Sequence, residues 1–318
     1  MAGRLDKKEY ILGVDGGGTK TVVQIADLSG RKITQAVSGA SNCNSVGMAK
    51  AIENLNTGIL TAIKNLNLQN RIYFRSSCLG FAGNNTEKDE KIYRQIVFNR
   101  QINKYLNPDK TIICNDTRIG LAAGSDNENK IILICGTGSN CYGVNEAGEE
   151  AIASGWDYIL ADEGSGYEIG IKALRAFMRA YDGRGIKTFL SKTIMQDLNL
   201  KNELDLTKWA YSSPLSKDKI GSLAKTVCKT AEMGDKVSIK ILSEEAHEAA
   251  ISVTAVADKL GFKNKQFDLV LVGSLFKCEK YFKNVLMEKL KKEFAKINFI
   301  TLTRSPVEGA IKIAIENL

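Results

Sequence analysis

The sequence predicts an α/β protein made of two related halves, and three observations carry that expectation. Apolar strand-like runs alternate with amphipathic helix-like segments from end to end, the pattern of sheets flanked by helices. A strand, a glycine-rich turn and an alternating strand occur near the start and return about 120 residues later, which marks a duplication. The length of 318 residues is more than one core usually carries and suits two packed domains.

In the first half, residues 10–14 form a short apolar strand that runs into Asp15-Gly16-Gly17-Gly18-Thr19-Lys20. Residues 21–28 alternate as a second strand, Ser29-Gly30 turns, and residues 32–38 read as a third. Helical periodicity covers 49–66 and 87–105, on either side of a strand at 76–81. Residues 111–115 form a strand that delivers Asp116 at its C-terminal end, before a small-residue helix around 120–124. The grammar then returns. Residues 130–134 are an apolar strand, Gly136-Thr137-Gly138-Ser139-Asn140 follow, and 141–145 and 149–154 extend around the Ala147-Gly148 turn. Residues 167–181, 219–233 and 236–260 read as helices, and 267–272 as a buried strand ending at Gly273-Ser274. Residues 306–317 make a closing helix with Pro306 in its first turn. The expected division places 1–116 with the closing helix 306–318 in one domain and 117–305 in the other.

Composition narrows the function classes. Hydrophobic residues make up 44% and charged residues 25%, with only 3 Pro, so disordered linkers are not expected. The net charge of +8 is spread along the chain, and its densest run, 289–292, lies on an amphipathic helix. With no helix-turn-helix, zinc-finger or aromatic RNA-binding signature, the charge reads as solvated helix faces rather than a nucleic-acid surface. The 7 Cys show no CxxC pair and no zinc or iron–sulfur spacing, and several sit in apolar runs. They are expected to be small buried hydrophobes with free thiols in a reducing compartment. Residues 1–10 are charged and lack the apolar core of a secretory signal, and no run approaches membrane-spanning length. A cytoplasmic protein without membrane or nucleic-acid partners is expected.

Four segments carry chemistry. Consecutive glycines at 16–18 let backbone N–H groups approach an anion, and Thr19 and Lys20 add donors. A P-loop or a dinucleotide-binding turn opens a helix, whereas an alternating strand follows here. This is a β-hairpin suited to phosphate rather than a plain turn, and the second hairpin at Gly136, Thr137, Gly138 and Ser139 strengthens that reading. Two such hairpins can hold a polyphosphate, with Asp15 orienting a hydrated Mg²⁺. Asp116, at a strand's C-terminal end, can serve as a general base or as the N-cap of the following helix. Gly155-Trp156 and Asp162-Glu163-Gly164-Ser165-Gly166 suit a sugar, with an aromatic face on the ring and carboxylates accepting hydroxyls. A buried Trp and an acidic helix start account for the same residues. His247, the only His, sits within a helix and reads as structural, which leaves no Ser–His or Cys–His pair.

Together these segments resemble the superfamily of sugar kinases, actin and heat-shock chaperone ATPases. Residues 11–21 look like its first phosphate motif, 136–140 its second, 269–274 its adenosine motif, and 115–124 and 306–310 its two connecting helices. Within that superfamily the chain is similar to the N-acetylglucosamine kinase group, which shares a family with the BadF/BadG/BcrA/BcrD ATPases. The strings GTGSN, GW and DEGS are the specific part of the match.

The resemblance implies two duplicated ribonuclease H-like (actin-like ATPase) domains with a cleft between them, where ATP with Mg²⁺ meets an amino sugar. It implies that Asp116 is the catalytic base acting on the sugar 6-hydroxyl. Asn42, Gly83, Asn140, Gly155, Trp156 and Asp162 would bind the sugar, with Asn44 an alternative to Asn42. Gly16, Gly17, Gly18, Thr19, Lys20, Gly136, Thr137, Gly138, Ser139, Gly273 and Ser274 would bind the nucleotide. The resemblance also implies a homodimer. Competing readings are a glucosamine or N-acetylmuramic acid kinase, an ATP-driven activator that holds an iron–sulfur cluster on cysteines, and a sugar-sensing regulator without turnover.

Overall fold

The computed structural model describes residues 9–67, 72–211 and 216–318, so the charged start at residues 1–8 lies outside the described residues. The chain divides into two compact units, one running through Asp126 and resuming at Leu302–Leu318, the other covering Asn127–Thr301.

The first unit runs β1 (Glu9–Gly16), β2 (Lys20–Ala26), β3 (Lys32–Gly39), α1 (Cys43–Val46), α2 (Met48–Lys64), β4 (Tyr73–Phe81), α3 (Glu87–Val97), β5 (Thr111–Asn115) and α4 (Asp116–Gly124). The second runs β6 (Lys130–Cys135), β7 (Ser139–Val144), β8 (Glu150–Ser154), α5 (Gly166–Tyr181), α6 (Phe189–Asp197), α7 (Asp205–Ala210), α8 (Lys217–Glu232), α9 (Lys236–Lys259), β9 (Phe267–Val272), α10 (Asn284–Glu293) and β10 (Ile297–Thr301). The chain then returns to the first unit with α11 (Pro306–Glu316).

The expected duplication is present in the sheets. The first has the order β3-β2-β1-β4-β5 and the second β8-β7-β6-β9-β10, so each strand of one has its counterpart in the other. In both, the first three strands pair antiparallel and the last two join in parallel. The central strand β1 is apolar on both faces because both are covered. Tyr10, Leu12 and Val14 pack in a core with Leu55 and Ile59 of α2 and Tyr93 and Ile96 of α3. Ile11 faces the other way, into a core with Ile119 of α4 and Ala310 and Ile311 of α11. In the second unit Ile131, Leu133 and Cys135 of β6 join Leu269 and Leu271 of β9 in a core with α5, α8 and α9.

Helix α4 stands with α11 in the first unit, whereas the sequence reading began its second domain at residue 117. A Cβ on Gly309 would overlap the Ile119 carbonyl and reach the Ala123 backbone, so the two helices meet at a distance that only glycine permits. The chain enters α11 through Pro306 in its first turn and a capping box between Ser305 and Glu308. Among the described residues no helix is long and apolar enough to cross a membrane.

The cysteines depart from expectation in one respect. Cys78, Cys114, Cys135 and Cys141 are buried free thiols and Cys43 is half-buried, but Cys228 and Cys278 form a disulfide. They lie 50 residues apart in sequence, on α8 and just after β9, where the fold brings their Cα atoms to 6.0 Å.

Candidate functional site

In the first unit, β1 and β2 are joined by Gly17, Gly18 and Thr19. The Gly17 N–H donates to the Lys20 carbonyl at 2.9 Å, closing the turn, while Gly18, Thr19 and Lys20 stay exposed. The Gly17 carbonyl accepts the N–H groups of Ser41 and Asn42 at 3.2 and 3.3 Å, so the hairpin and the Asn42 segment form one piece. A Cβ on Gly16 would collide with the Phe81 ring and the Ser41 hydroxyl, so that glycine is there for a close approach.

In the first unit the structure gathers two of the expected sugar residues, Asn42 and Gly83, and the alternative Asn44. Asn42 caps α1, its side-chain oxygen accepting the Asn44 N–H at 3.0 Å. Gly83 has a left-handed φ of +86°, and a Cβ there would lie 2.9 Å from Asn44 Nδ2 and 3.0 Å from Asn42 Oδ1. Asn42 and Asn44 therefore both border Gly83. Tyr93 was not singled out from sequence, yet its hydroxyl accepts the Cys43 N–H at 3.2 Å and donates to the Ala82 carbonyl at 2.9 Å. It ties the two segments together from within the core.

Asp116 is the first residue of α4, and Asn115 is the cap, accepting the Thr117 N–H at 2.8 Å. The capping role weighed for Asp116 thus belongs to its neighbour. Burial raises the Asp116 pKa, with the Thr117 N–H offsetting part of the effect. Asp15, near the end of β1, is pushed up to about 6 by burial and then by the charge of Asp116, with Lys20 pulling the other way.

In the second unit, Gly136, Thr137 and Gly138 join β6 to β7, and the Gly136 N–H donates to the Gly138 carbonyl at 2.9 Å. Helix α5 grips this turn from behind. Its Gly166 and Tyr167 N–H groups, unpaired within the helix, donate to the Gly136 and Thr137 carbonyls at 2.8 and 3.0 Å. A Cβ on Gly166 would stand 2.9 Å from the Gly136 carbonyl and 3.0 Å from that of Gly221. The Asp162–Gly166 string is mostly consumed in building the hairpin. Asp162 accepts the Ser139 N–H at 2.8 Å, Ser165 caps α5, and the Gly164 N–H donates to the buried Glu245 carboxylate at 2.7 Å. Glu245 is itself paired with Lys172 at 2.7 Å. At the end of β9, Gly273 has a φ of +124° and lies against the Cys135 backbone so closely that a Cβ would overlap it. The adenosine-motif residues Gly273 and Ser274 therefore adjoin the start of the second hairpin.

The segment at the end of β8 is strained. Ser154, Gly155 and Asp157 have φ values of +63°, +79° and +66°, two of them on non-glycine residues. Trp156 between them is 52% exposed rather than buried. Beside it, the Asn140 side-chain oxygen is buried without a hydrogen-bond partner, and a Cβ on Gly155 would stand 2.8 Å from that amide. A buried acceptor left unpaired costs about 1–3 kcal/mol, which a ligand donor recovers. The sequence did not single out Lys217, Glu245 or Asp157. Lys217 and Glu245 meet the predicted segments only through contacts across 55 or more residues, as in Lys217–Asp162 and Gly164–Glu245, and Asp157, next to Trp156 in the chain, joins them through Lys217.

Known proteins align over this whole arrangement. The chain is 35% identical over 306 residues to an N-acetylmuramic acid/N-acetylglucosamine kinase of Clostridium acetobutylicum, covering 96% of this chain and 98% of that protein. It is 31% identical over 319 residues to an N-acetyl-D-glucosamine kinase of Dictyostelium discoideum, covering 98% and 99%. A solved structure from Chromobacterium violaceum, provisionally described as an N-acetylglucosamine kinase, aligns with a TM-score of 0.74 at 20% identity, over 96% of this chain and 98% of that one. That likeness shows a shared fold. The family pattern of the BadF/BadG/BcrA/BcrD ATPases matches residues 12–312. With relatives at 31% and 35% identity over nearly its full length, this chain belongs to the BadF/BadG/BcrA/BcrD ATPase family.

Proposed function

We propose that this protein is an ATP-dependent amino-sugar kinase, transferring the γ-phosphoryl group of ATP to the 6-hydroxyl of N-acetylglucosamine or a close relative. The observation that carries the proposal is the pair of glycine hairpins at matching positions of two duplicated sheets, with a half-buried carboxylate of raised pKa, Asp116, heading α4. The names of the two relatives at 31% and 35% identity support the substrate class. One of those names includes N-acetylmuramic acid, which makes that sugar the second acceptor to test.

Phosphoryl transfer asks little covalent chemistry of the protein; positioning and charge stabilisation do most of it. The exposed N–H groups and side chains of Gly18, Thr19 and Lys20 are the donors for phosphate oxygens in the first unit. Gly136–Ser139 supplies those of the second, and Gly273-Ser274 receives the adenosine. Asp116 takes the proton of the sugar hydroxyl, and its raised pKa makes it a stronger base than an ordinary Asp once ionised. The Asn140 oxygen, buried and unpaired, accepts a sugar N–H or O–H, while Trp156 covers an apolar face of the ring. Asn42, Asn44 and Gly83 complete the recognition of the sugar.

The residues fit a divalent cation at Asp15. Burial and the neighbouring Asp116 charge penalise the ionised form of Asp15, and a cation removes that penalty. Asp15 would hold Mg²⁺ through water, and the ion when bound neutralises charge on the phosphates. The requirement for ATP fits a cytoplasmic enzyme, and a homodimer is part of the same proposal.

The experiment is a steady-state assay with MgATP against N-acetylglucosamine, N-acetylmuramic acid, glucosamine and glucose. A site that hydrogen-bonds an amide leaves buried groups unpaired when glucose enters, so N-acetylglucosamine is expected to exceed glucose clearly in kcat/KM. Equal values for the two would refute the amide selectivity, and faster turnover of glucosamine would move the protein to the sister specificity.

A further inference from the structure

We infer that Lys217 is the cation of the second phosphate hairpin, contacting a nucleotide phosphate directly by exchanging its ion pair with Asp157 for a phosphate oxygen. The inference rests on the kinase reading above and names a residue for it.

The geometry lies wholly within the second unit. Lys217 opens α8, and its ammonium stands 2.5 Å from Asp162 Oδ2 and 2.5 Å from Asp157 Oδ1. It also lies 3.2 Å from where a Cβ of Gly138 would be, so a side chain at that hairpin position would press on it. An ammonium has three donors, and these two carboxylates take two.

Charge explains why a cation belongs here. Asp162 accepts the Ser139 N–H at 2.8 Å, which fixes a carboxylate against a turn otherwise suited to phosphate. Alone, that carboxylate would repel a polyphosphate. Lys217 reverses the local sign, provided its charge is not spent elsewhere.

The two partners are unequal. The Asp162 side chain is 2% exposed and anchored on the hairpin backbone, so that pair is permanent. The Asp157 side chain is 68% exposed, in a segment where Ser154, Gly155 and Asp157 all have positive φ. An exposed pair contributes little to stability, so a multiply charged phosphate displaces Asp157 at small cost. Residue 157 adjoins Trp156, so the exchange also releases the segment that carries the exposed indole.

The test is calorimetric binding of MgADP and of adenosine to the wild type, Lys217→Met and Asp157→Asn, each checked for folding by circular dichroism. A lost charge-assisted hydrogen bond corresponds to roughly tenfold or more in affinity. Lys217→Met is therefore expected to weaken MgADP at least about tenfold while adenosine stays within about twofold. Asp157→Asn, which leaves the Asp162 pair in place and frees Lys217, is expected to tighten MgADP. A purely structural Lys217 would weaken both ligands together, and that result overturns the inference. So does MgADP binding to Lys217→Met at wild-type strength, or weakened MgADP binding to Asp157→Asn. If Lys217→Met misfolds, Lys217→Met combined with Asp162→Asn leaves no orphaned carboxylate in the hairpin and decides the same question. Amino-sugar turnover by the wild type is scored separately. Turnover with an unaltered Lys217→Met sinks only the Lys217 contact, whereas the expected binding pattern without turnover sinks only the kinase reading.

Discussion

Asp116 opposes the ionisation of Asp15. Burial, and after it the negative charge of Asp116, raises the Asp15 pKa to about 6, with Lys20 offsetting part of the shift. The first unit thus keeps two half-buried carboxylates close enough for the charge of one to disfavour ionisation of the other, an arrangement that costs folding energy and suits a site awaiting a cation.

That cost sets a stability prediction with a definite sign. Asp15 has a folded pKa near 6 against an ordinary value of 3.8, so its contribution to stability is full below 3.8 and is lost as pH rises through 6. Asp15→Asn removes the penalty. In magnesium-free buffer at pH 8 the variant is expected to unfold at a higher temperature than the wild type, with a ceiling of about 3 kcal/mol for the shift. The difference is expected to close below pH 4. A less stable variant at pH 8 would contradict the burial and repulsion described for Asp15.

Asp116→Asn is expected to cut kcat roughly 10²–10⁴-fold, the usual effect of removing a general base. MgADP and sugar affinities are expected to stay within a few-fold, because Asn115 and not Asp116 caps α4. Near wild-type kcat would show that another group takes the proton.

Asn140 and Trp156 separate sugar from nucleotide. Asn140→Ala is expected to raise the sugar KM or lower kcat without loss of thermal stability, because its side-chain oxygen has no partner to lose. Trp156→Ala, at an exposed position, is expected to do the same, with the ATP KM little changed. A large rise in ATP KM with unaltered sugar kinetics would reassign both residues.

Gly166→Ala tests the grip of α5 on the second hairpin. Its Cβ would press on the Gly136 and Gly221 carbonyls, which are backbone atoms with little freedom to yield. Overpacking of this kind costs about 1–3 kcal/mol, and the ATP KM is expected to rise with it. A variant with unchanged melting temperature and ATP KM would show that the turn does not depend on this contact.

Local signals carried most of the fold. β5 and β9 begin and end where apolar runs meet turn residues, and both glycine hairpins announce themselves by a change from strand to turn to strand. Where side chains compete with the backbone, the periodicity misleads. A helix expected over 87–105 stops at Val97, because the Asn99 amide takes the Ile96 carbonyl and pairs with Asn56 from α2. β10 was missed because it is half-exposed and owes its existence to parallel pairing with β9, which no local pattern records. The same division holds at the site. Glycine strings and Asp116 stand out in the sequence, but the work of Asp162–Gly166 as scaffolding for the hairpin depends on Ser139, Glu245 and Lys217, which are brought in from afar.

The central claim is that one amino-sugar hydroxyl receives the γ-phosphoryl group of ATP, and correlated proton–phosphorus NMR of the product tests it most directly. With wild-type protein, MgATP and N-acetylglucosamine, the new phosphorus signal is expected to correlate with the protons on carbon 6, and to be absent with Asp116→Asn over the same interval. Release of inorganic phosphate alone, with no phosphorylated sugar, would contradict the account.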